Sequence, residues 1–272
     1  KLIVWPSHVS HTIQLSGEIR QNAALQEPAG KEGVGDLTES LFSYGTPMHD
    51  RLGFQKALDD IPAWESAGSG FSLQILTPDF EKGIALLAEN ELHPAFPEKA
   101  FQIVRMQAAQ GQAGLLVSPG FLFGKAVKTA LLPEKDPELR NATPQSIMSV
   151  SRDDVVKYYQ AAWRPDLTTI VVTGDVTPEK ARSVVEQAFG GWKAEGPKPA
   201  VDLPTVPLSK ASRANVPDKN SVQDTVVLAE TLGLTASHPD HFLLQLGNEV
   251  LGGGLFSSRL YRDLRVKTGY VY

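Results

Sequence analysis

The sequence contains no cysteine, which removes disulfide staples, thiolate metal sites and a cysteine nucleophile together. A cysteine-free chain suits the cytosol and the periplasm equally. No run approaches the ~18 apolar residues that a membrane-spanning helix needs. Positive charge is not in excess: 26 Lys and Arg stand against 31 Asp and Glu, a net −5, and the cations are scattered rather than gathered in a stripe. Nucleic acid therefore finds no electrostatic footprint. No Gly-x-Ser-x-Gly elbow occurs, so a serine hydrolase has no support.

What is present is the composition of a soluble globular chain, 42% hydrophobic and 21% charged over 272 residues, long enough for two domains. The sequence opens on Lys1 and closes on Tyr272 within a continuing strand pattern, so both ends read as cuts in a longer polypeptide. Short β-rich runs occupy Lys1 to Trp5 and Thr12 to Gly17, the second alternating apolar and polar. Val34 to Tyr44 reads as a short helix stopped by Gly45, with Leu37 and Leu41 four apart. Ser72 to Leu76 alternates as a strand, and Thr77-Pro78-Asp79 then starts a helix whose Phe80, Ile84, Leu87 and Glu91 fall on one stripe.

A further helix begins at Phe96-Pro97-Glu98, with Gly111 and Gly114 expected to weaken its far end. Another starts from Ser151, where Ser-Arg-Asp-Asp resembles a capping box. Thr168 to Thr173 predicts a strand, Gly174-Asp175 a turn, and Thr177-Pro178-Glu179 the cap of the helix that follows. Prolines 197, 199, 204 and 207 break regular structure, so residues 196–208 are expected to form a linker between a first domain, 1–195, and a second, 209–272. In the second, Thr225 to Ala229 predicts a strand, Pro239 to Leu251 a helix, Gly252-Gly253-Gly254 a break and Phe256 to Val266 another helix. The repeated theme, a strand leading to a helix that ends in a glycine turn, suggests a duplicated α+β unit whose second copy is cut short.

Asn248-Glu249-Val250-Leu251-Gly252-Gly253-Gly254, then Phe256 to Tyr261 and Leu264 to Gly269, is similar to a signature of the insulinase/pitrilysin (M16) zinc peptidases. Pro165-Asp166 before Val171 to Val176, Ala188 to Trp192, and His238-Pro239-Asp240-His241 fit the same family. The resemblance implies an α+β fold of duplicated mixed-sheet-plus-helices domains, LuxS/MPP-like. It also implies an inverted zincin helix with two histidines four apart and a glutamate just before the second. That spacing puts both imidazoles on one helical face, within reach of one zinc, while the glutamate polarises its water.

Here the matching helix offers Asp36 and Ser40 at the histidine positions, with Glu39 at that of the general base. The third ligand, a glutamate in the family, should fall near Gln107 to Gln112, yet no Glu lies between Glu98 and Glu134, and no His-x-x-x-His pair stands elsewhere. The resemblance is thus to degenerate members, the inactive halves that close a chamber around peptide together with a zinc-bearing partner subunit or another half of the same polypeptide. No cofactor is expected in this chain, zinc only in the active partner. Such halves carry an Arg and Tyr that hold substrate, matched by Arg265 and Tyr272, with Tyr270 an alternative because Gly269-Tyr270-Val271-Tyr272 departs from the family's Gly-Leu-Ala-Tyr. The family also implies a periplasmic or secreted bacterial setting.

Plainer readings stand beside these. Asp36 and Glu39 suit a solvated helix start, and Ca²⁺ would want about six to eight oxygens. His8 with His11, and His238 with His241, lack a third ligand and suit surface or capping roles. Arg265 shares its segment with Arg259, Arg262 and Lys267 and could be solvent-facing. The glycine run lacks the P-loop lysine. A structural subunit like the peptidase-derived core proteins of respiratory complexes is the alternative function, and an enzyme recentred on Glu39 a third.

Overall fold

The computed structural model describes residues 1–254 and 256–271. In chain order the elements are β1 (Leu2–Pro6), β2 (Thr12–Ile19), α1 (Ala23–Gln26), α2 (Val34–Leu41), α3 (Arg51–Asp59), β3 (Trp64–Ser66), β4 (Gly70–Leu76) and α4 (Phe80–Leu92). Then come α5 (Glu98–Leu116), α6 (Pro119–Leu131), α7 (Pro144–Ser149), α8 (Arg152–Ala162), β5 (Thr168–Gly174), α9 (Pro178–Phe189) and α10 (His241–Asn248). The chain divides into two compact units, one of Lys1–Lys125 with Lys135–Leu203, the other of Ala126–Glu134 with Pro204–Tyr272.

In the first unit one mixed sheet runs in the order β1-β5-β2-β4-β3, parallel between β1 and β5 and antiparallel elsewhere. Alternation decides its two faces. Ile13, Leu15, Phe71, Leu73, Ile75, Ile170 and Val172 are buried, while Gln14, Ser16, Glu18 and Gln74 face water, the pattern of a sheet covered on one side. Helices α4 and α9 pack on β4 and β1 respectively and on each other. Gly83 lets α4 lie close, since a Cβ there would stand 2.4 Å from Ile75 Cδ1. Helix α2 packs against α5 and α8, and its Val34, Leu37 and Leu41 join the same core.

The α+β class and most of the expected elements are present, including the capping box of Ser151 with Asp154 and the Thr177 cap. Helix α5 continues to Leu116, past Gly111 and Gly114. Two glycines cost about 1 kcal/mol each, too little to stop a helix anchored by buried Phe101, Val104 and Ala109. The strand expected at Thr225 to Ala229 does not form: the segment is irregular, with Val226 and Leu228 exposed, and no strand pairs with it among the described residues. A lone extended run gains no ladder hydrogen bonds. In the second unit the described residues are helical or irregular, with α10 passing into a π-helical turn at Glu249–Gly253 and a second at Tyr261–Lys267.

The tightest sequence demand in the sheet is Gly17, whose cross-strand partner is Phe71. A Cβ on Gly17 would meet the Phe71 ring at 2.0 Å, and that ring is buried and stacked on Phe189 at 6.0 Å between centroids. Gly17→Ala should therefore cost about 1–3 kcal/mol through overpacking, with partial recovery in Gly17→Ala/Phe71→Leu. Urea unfolding reads both, and an unchanged midpoint in the single variant would show that the ring has room to move.

Candidate functional site

Helix α2 follows β2 and the short α1, and is capped at Gly33, whose φ of +100° is left-handed backbone that glycine enters without a Cβ clash. Glu27 reaches over this start: its carboxylate accepts from Gly33 N at 3.0 Å and Gly35 N at 2.9 Å, filling two of the helix's orphan donors. Burial outweighs those bonds and holds the Glu27 carboxyl above its ordinary range. With Val34, Leu37 and Leu41 inward, helical spacing turns Asp36 and Ser40 outward, and both are exposed. Ser40 Oγ donates to the Asp36 carbonyl at 2.8 Å.

Glu39 leaves this outer face sideways. Its carboxylate lies 3.0 and 3.2 Å from Ser69 N, in the turn between β3 and β4. The preceding residue must be glycine: Gly68 has φ +141°, and a Cβ there would stand 2.3 Å from Glu39 Oε2. The Gln107 to Gln112 stretch lies on α5, which packs beside α2, and Gln112 Nε2 donates to the Ala142 carbonyl at 2.8 Å. The donor set does not suit zinc. Carboxylate and hydroxyl replace the two imidazoles, an amide stretch replaces the third carboxylate, and the would-be base is bonded to backbone. Among the described residues no three His, Asp or Glu side chains converge to hold a metal ion.

A second carboxyl meets the same turn, and a third stands near it. Glu91, on α4 and fully buried, accepts from Gly68 N through Oε2 at 2.9 Å, while its Oε1 has no hydrogen-bond partner. Glu65, on β3, accepts from Asn90 Nδ2 at 3.1 Å. Burial pushes the Glu65 carboxyl up to about 7. Burial also holds Glu91 well above the carboxylate range, against the Gly68 bond and with help from the Glu39 and Glu65 charges. Sequence reasoning had one signal for this, a glutamate on the apolar stripe of α4. Glu65 gave none, because β3 is only three residues long.

The other candidates lie elsewhere. His8 Nδ1 and His11 Nδ1 share the two oxygens of Asp175 at 2.6 and 3.0 Å, and their bonds hold that carboxyl below its usual range. His8 and Asp175 border a cleft of about 490 Å³ at the opposite end of the sheet, also lined by Thr77, Lys82 and Lys180. His238 Nδ1 accepts from Asp240 N at 3.2 Å, a local capping role. Within the second unit, Arg265 is exposed with its guanidinium 5.2 Å from the Tyr261 ring centre, and Tyr270 is exposed. Tyr272 lies outside the described residues.

The first unit is a mixed-sheet α+β fold whose helix α2 presents Asp36 and Ser40, rather than imidazoles, at the positions where the family resemblance places zinc ligands. Residues 149–272 match the family model described as the peptidase M16 inactive domain. A 130-residue stretch is 28% identical to the uncharacterized zinc protease YmxG of Bacillus subtilis (strain 168), covering 48% of this chain and 30% of that protein. The fold matches a peptidase M16 inactive domain from Pseudomonas fluorescens with a TM-score of 0.76 at 19% identity, and a protease from Helicobacter pylori with 0.70 at 18%. Each alignment covers 98% of this chain and 66% of the other. The first half of the periplasmic protease PqqL from Escherichia coli matches with 0.59 at 15% identity, covering 78% of this chain and 47% of that one. The chain is thus similar to M16 peptidases: residues 149–272 match the model of that family's inactive domain, and the fold matches that of a solved inactive domain.

If Glu39 serves the turn, Glu39→Ala should destabilise the chain by about 1–3 kcal/mol, the cost of a half-buried N–H left without an acceptor. Glu39→Gln, which keeps a carbonyl oxygen, should cost less. Chemical denaturation separates the two, and wild-type stability in Glu39→Ala would refute the role.

Proposed function

We propose that this chain is a non-catalytic M16-type half that captures peptide and completes the chamber of a zinc-bearing partner, which is either a separate subunit or another half of the same polypeptide. One observation carries the reading. The helix that would hold zinc presents Asp36 and Ser40 to solvent, and beside it β3 closes the sheet with an outer edge that no other strand pairs with among the described residues. An extended peptide can add to such an edge through main-chain hydrogen bonds. The chain then binds and orients, while bond cleavage, and zinc, belong to the partner.

Arg265 is assigned to substrate, with Tyr272 or Tyr270 as its companion, because a guanidinium can grip a carbonyl or carboxylate in bidentate fashion. Its exposure supports availability. We assign residues 1–195 to a first α+β domain, 196–208 to a linker and 209–272 to part of a related second copy. The periplasmic description of PqqL supports a periplasmic or secreted setting, and no helix among the described residues is long and apolar enough to cross a membrane.

The competing role is a scaffold subunit of the core-protein type. It is favoured by the apolar groove of the second unit, where Leu243, Leu246, Val250 and Leu251 line about 540 Å³, a surface suited to packing against protein. Fluorescence anisotropy with labelled extended peptides, on the chain assembled with its zinc-bearing half, separates the two. Capture predicts that Arg265→Ala loses about 1.5–3 kcal/mol of affinity, the worth of a charge-assisted hydrogen bond. No measurable affinity in the intact assembly would establish scaffolding instead.

A further inference from the structure

Two carboxyls grip one tight turn, and a third stands near one of them. Glu39 of α2 takes Ser69 N, Glu91 of α4 takes Gly68 N, and Glu65 of β3 is tied to Asn90 of α4. The turn lies between β3 and β4, so whatever grips it also sets where the edge strand β3 sits. We propose that Glu65 and Glu91, with Glu39 as the second grip on the turn, form a proton-operated clasp that seats the β3 edge while Glu65 and Glu91 hold protons and loosens it when both are ionised.

The surroundings make charge costly there. From α2 come Glu39 and, further out, Asp36; from β3, Glu65; from α4, Asn90 and Glu91. Helix α8 and the residue after it bring Tyr158, Tyr159 and Trp163, and Tyr159 Oη donates to the Glu91 backbone carbonyl at 2.8 Å. Both phenols are held above their ordinary range, by burial first and then by carboxylate charge, that of Glu27, Glu39 and Asp36 on Tyr158 and that of Glu91 on Tyr159. The Trp163 indole N–H lacks a partner in hydrogen-bond geometry, yet stands near enough to favour ionised Glu91 slightly. Among the described residues no Lys, Arg or His forms an ion pair with Glu39, Glu65 or Glu91. Three like charges in a partly dry space repel with no cation to offset them. Asn90 Oδ1 and Glu91 Oε1 are buried acceptors without hydrogen-bond partners, and a proton on Glu91 removes the charge that its unpaired oxygen would otherwise carry.

The direction with pH follows from the raised carboxyls. Glu65 keeps its proton in the folded chain up to about 7, above its ordinary 4.5, and Glu91 is shifted the same way. The folded state therefore holds protons that the unfolded chain has released. Their stabilisation is complete below the ordinary carboxylate range and is lost as pH rises through about 7. The loss falls first on the turn, because its two N–H groups depend on these side chains. The clasp works the same way whether or not peptide lies on the edge.

Amide hydrogen exchange on the full chain, corrected for the intrinsic pH dependence, tests this in the peptide spanning residues 64–70. Between pH 5.5 and 8.5 its protection should fall by about tenfold or more, one pK unit's worth, while β5 at the centre of the sheet changes less. In Glu65→Gln/Glu91→Gln, which mimics the protonated pair, the fall should largely disappear. Should the double variant fail to give a folded circular dichroism spectrum, Glu65→Gln alone carries the test, since Glu65 is only half-buried. Unchanged protection in the wild type, or an undiminished fall in the folded variant, overturns the clasp.

Discussion

Two adjacent backbone N–H groups, those of Gly68 and Ser69, each end on a carboxylate delivered by a different helix. That pair of contacts joins α2, the β3–β4 hairpin and α4 at one point, and the character of the site follows from it. A glutamate that accepts from a backbone donor is held in one rotamer and gives up part of its electron density, so it is a poor base for a water one turn away. The glycine at position 68 belongs to the same bargain, because its left-handed backbone and missing Cβ make room for Glu39.

The outer face of α2, with Asp36 and Ser40, is exposed. The inner face of α2, Val34, Leu37 and Leu41, is packed into the core, and its start is closed by Glu27 and Gly33. With Asp36 and Ser40 in place of imidazoles, the same backbone becomes a solvated surface whose hydroxyl bonds its own carbonyl. On the proposed reading, this surface between α2 and β3 serves binding, and bond cleavage belongs to the partner.

Much of this was legible from residue order. Alternation in β2 and β4, the β-branched run of β5, and the caps at Ser151 and Thr177 all rest on local physics, and they stand where they were expected. That residues 36 and 40 share one exposed face was readable too, from helical spacing; that they match ligand positions is what the family resemblance implies. What escaped was the result of tertiary pairing. Strand β3 is three residues long and exists because β4 offers it a partner, whereas 225–229, richer in β-formers, finds none among the described residues. The gathering of Glu39, Glu65 and Glu91 joins positions that no local rule connects, and only the misplaced polarity of Glu91 on its helix gave a hint.

The central claim is that this chain cannot assemble a zinc site from its own side chains. Metal analysis of the purified protein after exposure to zinc and exhaustive dialysis addresses it directly. The account predicts well under one zinc per chain, unaltered by Asp36→Ala. One tightly retained zinc per chain that disappears in Asp36→Ala would contradict it.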